Sequence, residues 1–290
     1  MIGILSAFGA AFSWTYACFI WRSQTLKYRS IDINLIKNII AFLVFIPAFI
    51  NLNSANELKN IFTLLFSGII GIGLGDTFYL KSLQIIGTRK TLSIETLSPL
   101  MAALSGEIFI NENLTSKSWI GIIIVSISLF IILKKGTEFK KENSAFSRKN
   151  NFKIYIFPFL SVLCAVVGGL FSRIVFLKSN LSPLLTTEIR LLGAIIFLFT
   201  LKGFKINFFL NNLEKSQKKR FLFSIFLGTN IGILLQQIVF KNLPLGLGWA
   251  LLSTSPVISL FFTKNEERQI TKETIFFTCF LFLGLTLIIF

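Results

Sequence analysis

Residues 66–99 read FSGIIGIGLGDTFYLKSLQIIGTRKTLSIETLSP, and residues 223–256 read FSIFLGTNIGILLQQIVFKNLPLGLGWALLSTSP. The two stretches align without a gap at a constant offset of 157 residues. Phe66-Ser67 falls on Phe223-Ser224, Gly71 on Gly228, Gly75 on Gly232, and Ser98-Pro99 on Ser255-Pro256. With slightly different offsets, Ser6 and Ala10 fall on Ser161 and Ala165, and Lys37 and Ala41 on Arg190 and Ala194. Glycines and prolines that recur at a fixed offset mark an internal duplication. Both stretches hold continuous apolar runs rather than alternating ones, so helices and not barrel strands are expected.

The composition places these helices in a membrane. Of the 290 residues, 53% are hydrophobic and only 14% charged, with a mean hydropathy of +0.75. A soluble domain needs about a quarter of its residues charged to cover its surface, and the 34 Phe argue against disorder. About 20 residues at 1.5 Å each cross a hydrocarbon layer of about 30 Å. That window predicts ten spans, at 2–21, 34–51, 61–80, 92–110, 118–134, 154–177, 184–201, 221–240, 245–263 and 273–290. The first span lacks a basic leading region and closes on Trp21-Arg22 like an interfacial anchor, so it is expected to be a helix of the mature protein and not a signal peptide. Five spans per half force the halves into opposite orientation, as in many secondary transporters. The expected fold is an all-α polytopic membrane protein of ten transmembrane helices in two inverted five-helix repeats, residues 1–134 and 154–290. A polar, basic linker, 135–153, joins them.

The net charge of +16 does not indicate nucleic acid. Lys134-Lys135, Lys140-Lys141, Arg148-Lys149 and Lys218-Lys219-Arg220 lie between apolar runs, where they meet anionic lipid headgroups. Stretches after odd-numbered spans hold 22 Lys and Arg, against four (Lys59, Lys117, Lys178 and Lys241) after even-numbered ones. By the positive-inside rule alone, both termini lie outside the cytoplasm. The chain has no His, which excludes His-based acid–base chemistry and His metal sites. Cys18, Cys164 and Cys279 are far apart in apolar runs and read as small buried hydrophobes. Neither cofactor nor metal is implied, and no enzymatic activity.

Seven ionisable residues lie within spans or at their margins: Asp76, Lys81, Glu95, Glu107, Arg173, Glu188 and Arg190. A charge at membrane depth costs at least ~2.5–3.5 kcal/mol, so each needs a partner or a watery cavity. Glu107, Glu188 and Arg190 are near span ends and are expected to reach the interface by snorkelling, and Lys81 ends the third span. Asp76 and Arg173 are nearer mid-span. Glu95, Ser98, Pro99 and Ala102 form an i, i+3, i+4, i+7 face small and polar enough to line a cavity. Pro99 removes the amide that would bond the carbonyl of Glu95. That pairs a free carbonyl with a carboxylate, a setting for a proton, a cation or an amine. Pro256 frees the carbonyl of Leu252 in the same way, beside Ser253, Thr254 and Ser255. Both prolines are expected kinks, structural or ligand-binding.

On the third span Gly71, Gly75 and Tyr79 share a face beside Asp76, and on the eighth Asn230, Ile233 and Gln237 share one. The glycines have close helix packing as their default role. Arg173 follows Gly169 by one turn, and Trp14 is the repeat counterpart of Gly169. Arg173 either bridges Asp76 or Glu95 or reads a substrate carboxylate with its planar fork. Gly71-Ile-Gly73-Leu-Gly75 is not a nucleotide loop, because no strand precedes it. Gly73-Leu-Gly75-Asp76 matches an intramembrane aspartyl protease motif, but the second membrane Asp that such chemistry needs is missing; the one other Asp is Asp32, in a polar stretch.

Taken together these residues resemble the drug/metabolite transporter superfamily, in particular its EamA type. Gly71 to Leu83 resembles the family's third helix. Leu97-Ser98-Pro99, Gly106-Glu107 and Asn111-Glu112-Asn113-Leu114-Thr115 resemble its fourth helix and Gly-Glu-x-Leu-Thr turn, with Asn111 in place of the usual Gly. Ser13-Trp14 resembles the Trp of the first helix, and Arg190, with Lys37 in the first half, the basic residue opening the second helix of each repeat. The resemblance covers nearly the whole chain. It implies a multi-pass protein of the cell (inner or plasma) membrane that exports amino acids, other metabolites or drugs by proton coupling or exchange. It also implies a central cavity lined by the first, third, fourth, sixth, eighth and ninth helices, with Trp14, Tyr79, Glu95, Arg173, Gln237 and Trp249 as candidates. The family's termini are usually cytoplasmic, opposite to the charge bias here.

The expected function is alternating-access transport of a small metabolite. Asp76 or Glu95 would exchange the proton, and Arg173 would read an anionic group or hold the acid. The lining then comprises Trp14, Asp76, Tyr79, Glu95, Ser98, Arg173, Asn230, Gln237 and Trp249. The alternative is a non-transporting membrane scaffold or channel-like protein. The expected partners are a small-molecule substrate, a proton or counter-substrate, and the bilayer.

Overall fold

The computed structural model describes residues 1–51, 57–135, 152–206, 209–255, 257–258 and 272–289. Every regular element among them is helical. In chain order these are α1 (Ile2–Thr25), α2 (Ser30–Phe45), α3 (Leu58–Gly68), α4 (Asp76–Glu95), α5 (Ser98–Ile110), α6 (Ser116–Lys135) and α7 (Ile156–Lys178). They continue with α8 (Pro183–Leu201), α9 (Lys215–Ile225), α10 (Gly232–Asn242), α11 (Leu245–Leu252) and α12 (Lys272–Ile289). A 3₁₀ segment, Ile46–Asn51, prolongs α2. Most of the expected linker, Pro256 and the end of the expected ninth span lie outside the described residues.

Among the described residues six helical stretches are long and apolar enough to cross a membrane: Ile2–Thr25, Ser30–Ala48, Leu58–Thr88, Ile156–Lys178, Pro183–Leu201 and Lys215–Asn242. Three shorter apolar helices accompany them, at Ser98–Ile110, Ser116–Ile132 and Phe276–Ile289. The expected fourth span is not one continuous helix. Ahead of that span Gly87 adopts φ 77° and ψ 172° inside α4, a conformation only glycine takes at low cost, and this kink divides α4. The expected fourth span itself breaks at Thr96 and Leu97, immediately before Ser98-Pro99, because the proline has no amide to continue the ladder. A second break falls at Ser253 and Thr254, 157 residues on, after α11. The α8 terminus follows ordinary capping: Pro183 opens it, and the Ser182 side chain accepts from the Leu185 amide at 3.2 Å.

The long third and eighth stretches share an irregularity. Residues Ile69–Gly75 join α3 to α4 as a π-helical segment, and Phe226–Ile231 joins α9 to α10 in the same way. Their first residues are again 157 apart. A π-turn leaves carbonyls with shifted partners, and side chains from neighbouring helices meet them. Asn34 of α2 donates to the carbonyls of Ile72 at 2.9 Å and Gly73 at 3.1 Å. Trp14 of α1 donates to the carbonyl of Gly228 at 2.9 Å.

The helices pack as α1 against α10, α3 against α8, α4 against α7, α2 against α8, α5 against α11 and α6 against α12. Small residues permit the closest crossings. A Cβ on Gly68 would collide with the backbone carbonyl of Arg190, and one on Gly168 would lie 2.7 Å from the Gly71 Cα. Large apolar side chains such as Phe62, Ile108, Phe109 and Phe276 stay exposed on the outside, where a bilayer would cover them.

Candidate functional site

The two breaks and the two π-segments converge on a cavity of about 150 Å³. From α1 it receives Trp14, Thr15, Cys18 and Trp21, and from α2 Lys37. The first π-segment and α4 contribute Gly71, Gly75, Asp76, Tyr79 and Glu95, and the first break Thr96 and Ser98. Ser161 and Val162 enter from α7, Arg190 from α8, Gly228, Ile233 and Gln236 from the second π-segment and α10, and Trp249, Ser253 and Ser255 from α11 and the second break.

Several of the polar groups have identifiable settings. Lys37 is 1% exposed, pairs with Asp76 and lies 4.9 Å over the Trp21 ring. An ammonium held this way gains from both the carboxylate and the ring face. The Cys18 thiol and the Tyr79 hydroxyl are 3.0 Å apart. Trp14 is fixed by its bond to Gly228, and its Nε1 would lie 2.6 Å from a Cβ at Gly232, so the glycine makes room for the indole. Thr15 reaches the carbonyls of Ala11 and Ser255, and Ser255 returns a bond to Ala11, which ties α1 to the second break. Arg190 is 2% exposed, and its Nε and Nη1 have no hydrogen-bond partner among the described residues.

Of the residues expected to line a cavity, Trp14, Asp76, Tyr79, Glu95, Ser98 and Trp249 do so. Arg173, Asn230 and Gln237 do not. Arg173 meets neither Asp76 nor Glu95: its Nε donates to Glu112 at 2.6 Å and its Nη1 to the carbonyls of Phe240 at 2.8 Å and Lys241 at 3.1 Å. Glu112 also accepts from the Leu245 amide at 2.6 Å, so this cluster joins α7, α10, α11 and the turn between α5 and α6. Asn230 is fully buried and donates to the carbonyl of Ala41 at 2.9 Å. Gln237 is fully buried too, and its neighbour Gln236 faces the cavity. The eighth span was phased as a straight α-helix, but the π-segment adds a residue to one turn and rotates the following helix.

Lys37 and Arg190 also line the cavity, although sequence reasoning placed them outside it. Both match the basic residue opening the second helix of a repeat, and their shared position was the available signal. Glu188 and Arg190 do not snorkel; both are buried because α8 is packed against α2 and α3. Glu107 is exposed, and Lys81 donates to Gln84 at 2.8 Å. Among the described residues no group of three Asp, Glu or Cys side chains converges as a metal site requires.

A bundle with apolar outer faces, several membrane-length helices and charged groups around an internal cavity defines a multi-pass membrane protein. The profile of the EamA-like transporter family matches residues 1–134 and 152–290. The chain belongs to the EamA-like transporter family, of the drug/metabolite transporter superfamily, and is a membrane transporter of that type. No curated protein matches it. A solved structure described only as "Crystal structure of protein" is similar, with a TM-score of 0.73 over 98% of this chain and 95% of that one. Their sequences are 16% identical, a level at which the likeness speaks for the fold alone.

Proposed function

We propose that the protein is a secondary active transporter of the cell (inner or plasma) membrane, which exports a small metabolite such as an amino acid by alternating access. Its ten spans form two inverted five-helix repeats, residues 1–134 and 154–290, joined by the linker 135–153. The helix packing supports this arrangement. Exchanging the halves turns the contact between α1 and α10 into that between α7 and α4, and returns α2 with α8, α5 with α11 and α6 with α12 to themselves. A pseudo-two-fold with paired broken helices around a midplane site is the geometry that alternating access uses.

The observation that carries the reading is the set of intramembrane charges around one cavity: Lys37, Asp76, Glu95 and Arg190. Such groups are expensive at membrane depth and belong on substrate or proton pathways. Asp76 is held by Lys37, which leaves Glu95, at the first break, as the carboxylate that exchanges a proton. Trp14, Tyr79 and Trp249 supply apolar walls with polar tips, suited to an amphipathic solute. Rocking of the repeats about this site would expose it to each side in turn.

The test is counterflow in proteoliposomes with pooled labelled amino acids, nucleosides and organic acids, with Glu95→Gln as control. Uptake of one pool that loses its pH dependence in Glu95→Gln supports the reading. No uptake of any pool by folded, monodisperse protein favours the scaffold, and unsaturable flux favours the channel.

A further inference from the structure

We infer that Arg190 is a receptor for a carboxylate on the transported solute. This rests on the transport reading above. Lys37 and Arg190 occupy matching positions on α2 and α8, and both line the cavity. Lys37 has an acid, Asp76. The residue matching Asp76 at the offset of 157 is Ile233, which also lines the cavity and carries no charge. Arg190 therefore has no acid of its own at the position matching Asp76, and feels Asp76 only as a charge that Lys37 already pairs; among the described residues its Nε and Nη1 have no hydrogen-bond partner although the side chain is 2% exposed.

A buried guanidinium with two unused donors is costly to leave unmatched. Its planar fork accepts a carboxylate through two parallel N–H···O bonds, a geometry an ammonium cannot reproduce. The guanidinium lies alongside Gly71, where an added Cβ would come 3.0 Å from its Nη2, and the main chain of Arg190 packs closely on Gly68. A solute carboxylate at Arg190 would complete in the second half the charge pair that Lys37 and Asp76 already form in the first. In this scheme Arg190, and not Arg173, reads the anion.

The test compares carboxylates with their neutral amides, namely benzoate with benzamide and L-phenylalanine with L-phenylalaninamide at millimolar concentration. It follows thermal stabilisation of the purified full-length protein. The expected result is stabilisation by the carboxylates alone, weakened about tenfold or more in affinity by Arg190→Gln, and partly kept in Arg190→Lys. Ile233→Asp, at the cavity position matching Asp76, is expected to supply an internal acid and lower the carboxylate preference in samples that remain folded. Equal stabilisation by the amides, none by either carboxylate, or an unchanged preference in Arg190→Gln overturns the inference. Carboxylate binding without counterflow would keep the receptor and sink the transport reading; counterflow of solutes without a carboxylate would do the reverse.

Discussion

The ammonium of Lys37 is closed in by the carboxylate of Asp76 on one side and the Trp21 ring, 4.9 Å from its centroid, on another. The lysine is 1% exposed and the aspartate side chain 32%. The pair therefore bridges the buried face of α2 and the cavity. Removing its acid strands a charge, whereas removing both members does not. Asp76→Asn is expected to cost about 3 kcal/mol, and Lys37→Met combined with Asp76→Asn to recover most of it. Thermal unfolding of the purified variants reads the difference; a double variant no better than the single one would show that the pair is not what stabilises this site.

Arg173 belongs to the cluster with Glu112, Phe240 and Leu245, outside the cavity. Arg173→Gln is expected to lower stability by roughly 2–3 kcal/mol through its lost charge-assisted bonds. The KM for the transported solute is expected to stay within about twofold of wild type, well below the tenfold that loss of 1.4 kcal/mol of binding would give. A large KM rise at unchanged stability would restore Arg173 as a substrate-reading residue.

Two glycines separate backbone contact from adaptable contact. At Gly193 a Cβ would strike the Leu65 carbonyl, which cannot move without displacing α3, whereas at Gly9 it would meet only the far end of the Leu235 side chain, at 2.9 Å. Gly193→Ala should therefore cost about 1–3 kcal/mol or more, and Gly9→Ala stay within about 0.5 kcal/mol. Equal losses at the two positions would contradict the close packing of α3 on α8.

Glu95 stands at the first break with its side chain in the cavity. With glutamine there, no proton can be exchanged at this position, so transport in Glu95→Gln should run at one rate across pH 5 to 8, while exchange of solute for solute continues. A pH profile of wild-type shape in a well-folded Glu95→Gln sample would move proton coupling to another group.

Hydropathy and the 157-residue offset made most of the fold legible, because spanning segments must be apolar along their whole length and matched glycines mark close crossings. Ser98-Pro99 signalled the break, though the chain opens one turn earlier, at Thr96 and Leu97, where the missing proline amide leaves the ladder. The π-segments left no comparable mark. Insertion of one residue in a turn changes no composition, yet it rotates α10 enough to present Gln236 and bury Gln237. Arg190 was misplaced for a different reason: counted along the chain it lies near a helix end, and its burial depends on α2 and α3 covering that end from other parts of the sequence. Arg173 found its acid in Glu112, in the turn between α5 and α6, a long-range pairing that spacing along the chain does not encode.

Alternating access requires one cavity to open to each side of the membrane in turn, and Cys18, 4% exposed and in the cavity wall, is a native reporter of it. In a variant with Cys164→Ser and Cys279→Ser, reconstituted in proteoliposomes, a membrane-impermeant thiol reagent is applied from either face with and without the transported solute. Cys18 is expected to react from both faces, and a condition which slows labelling from one face to speed it from the other. Labelling from a single face under every condition, or equal and solute-independent labelling from both, would contradict it.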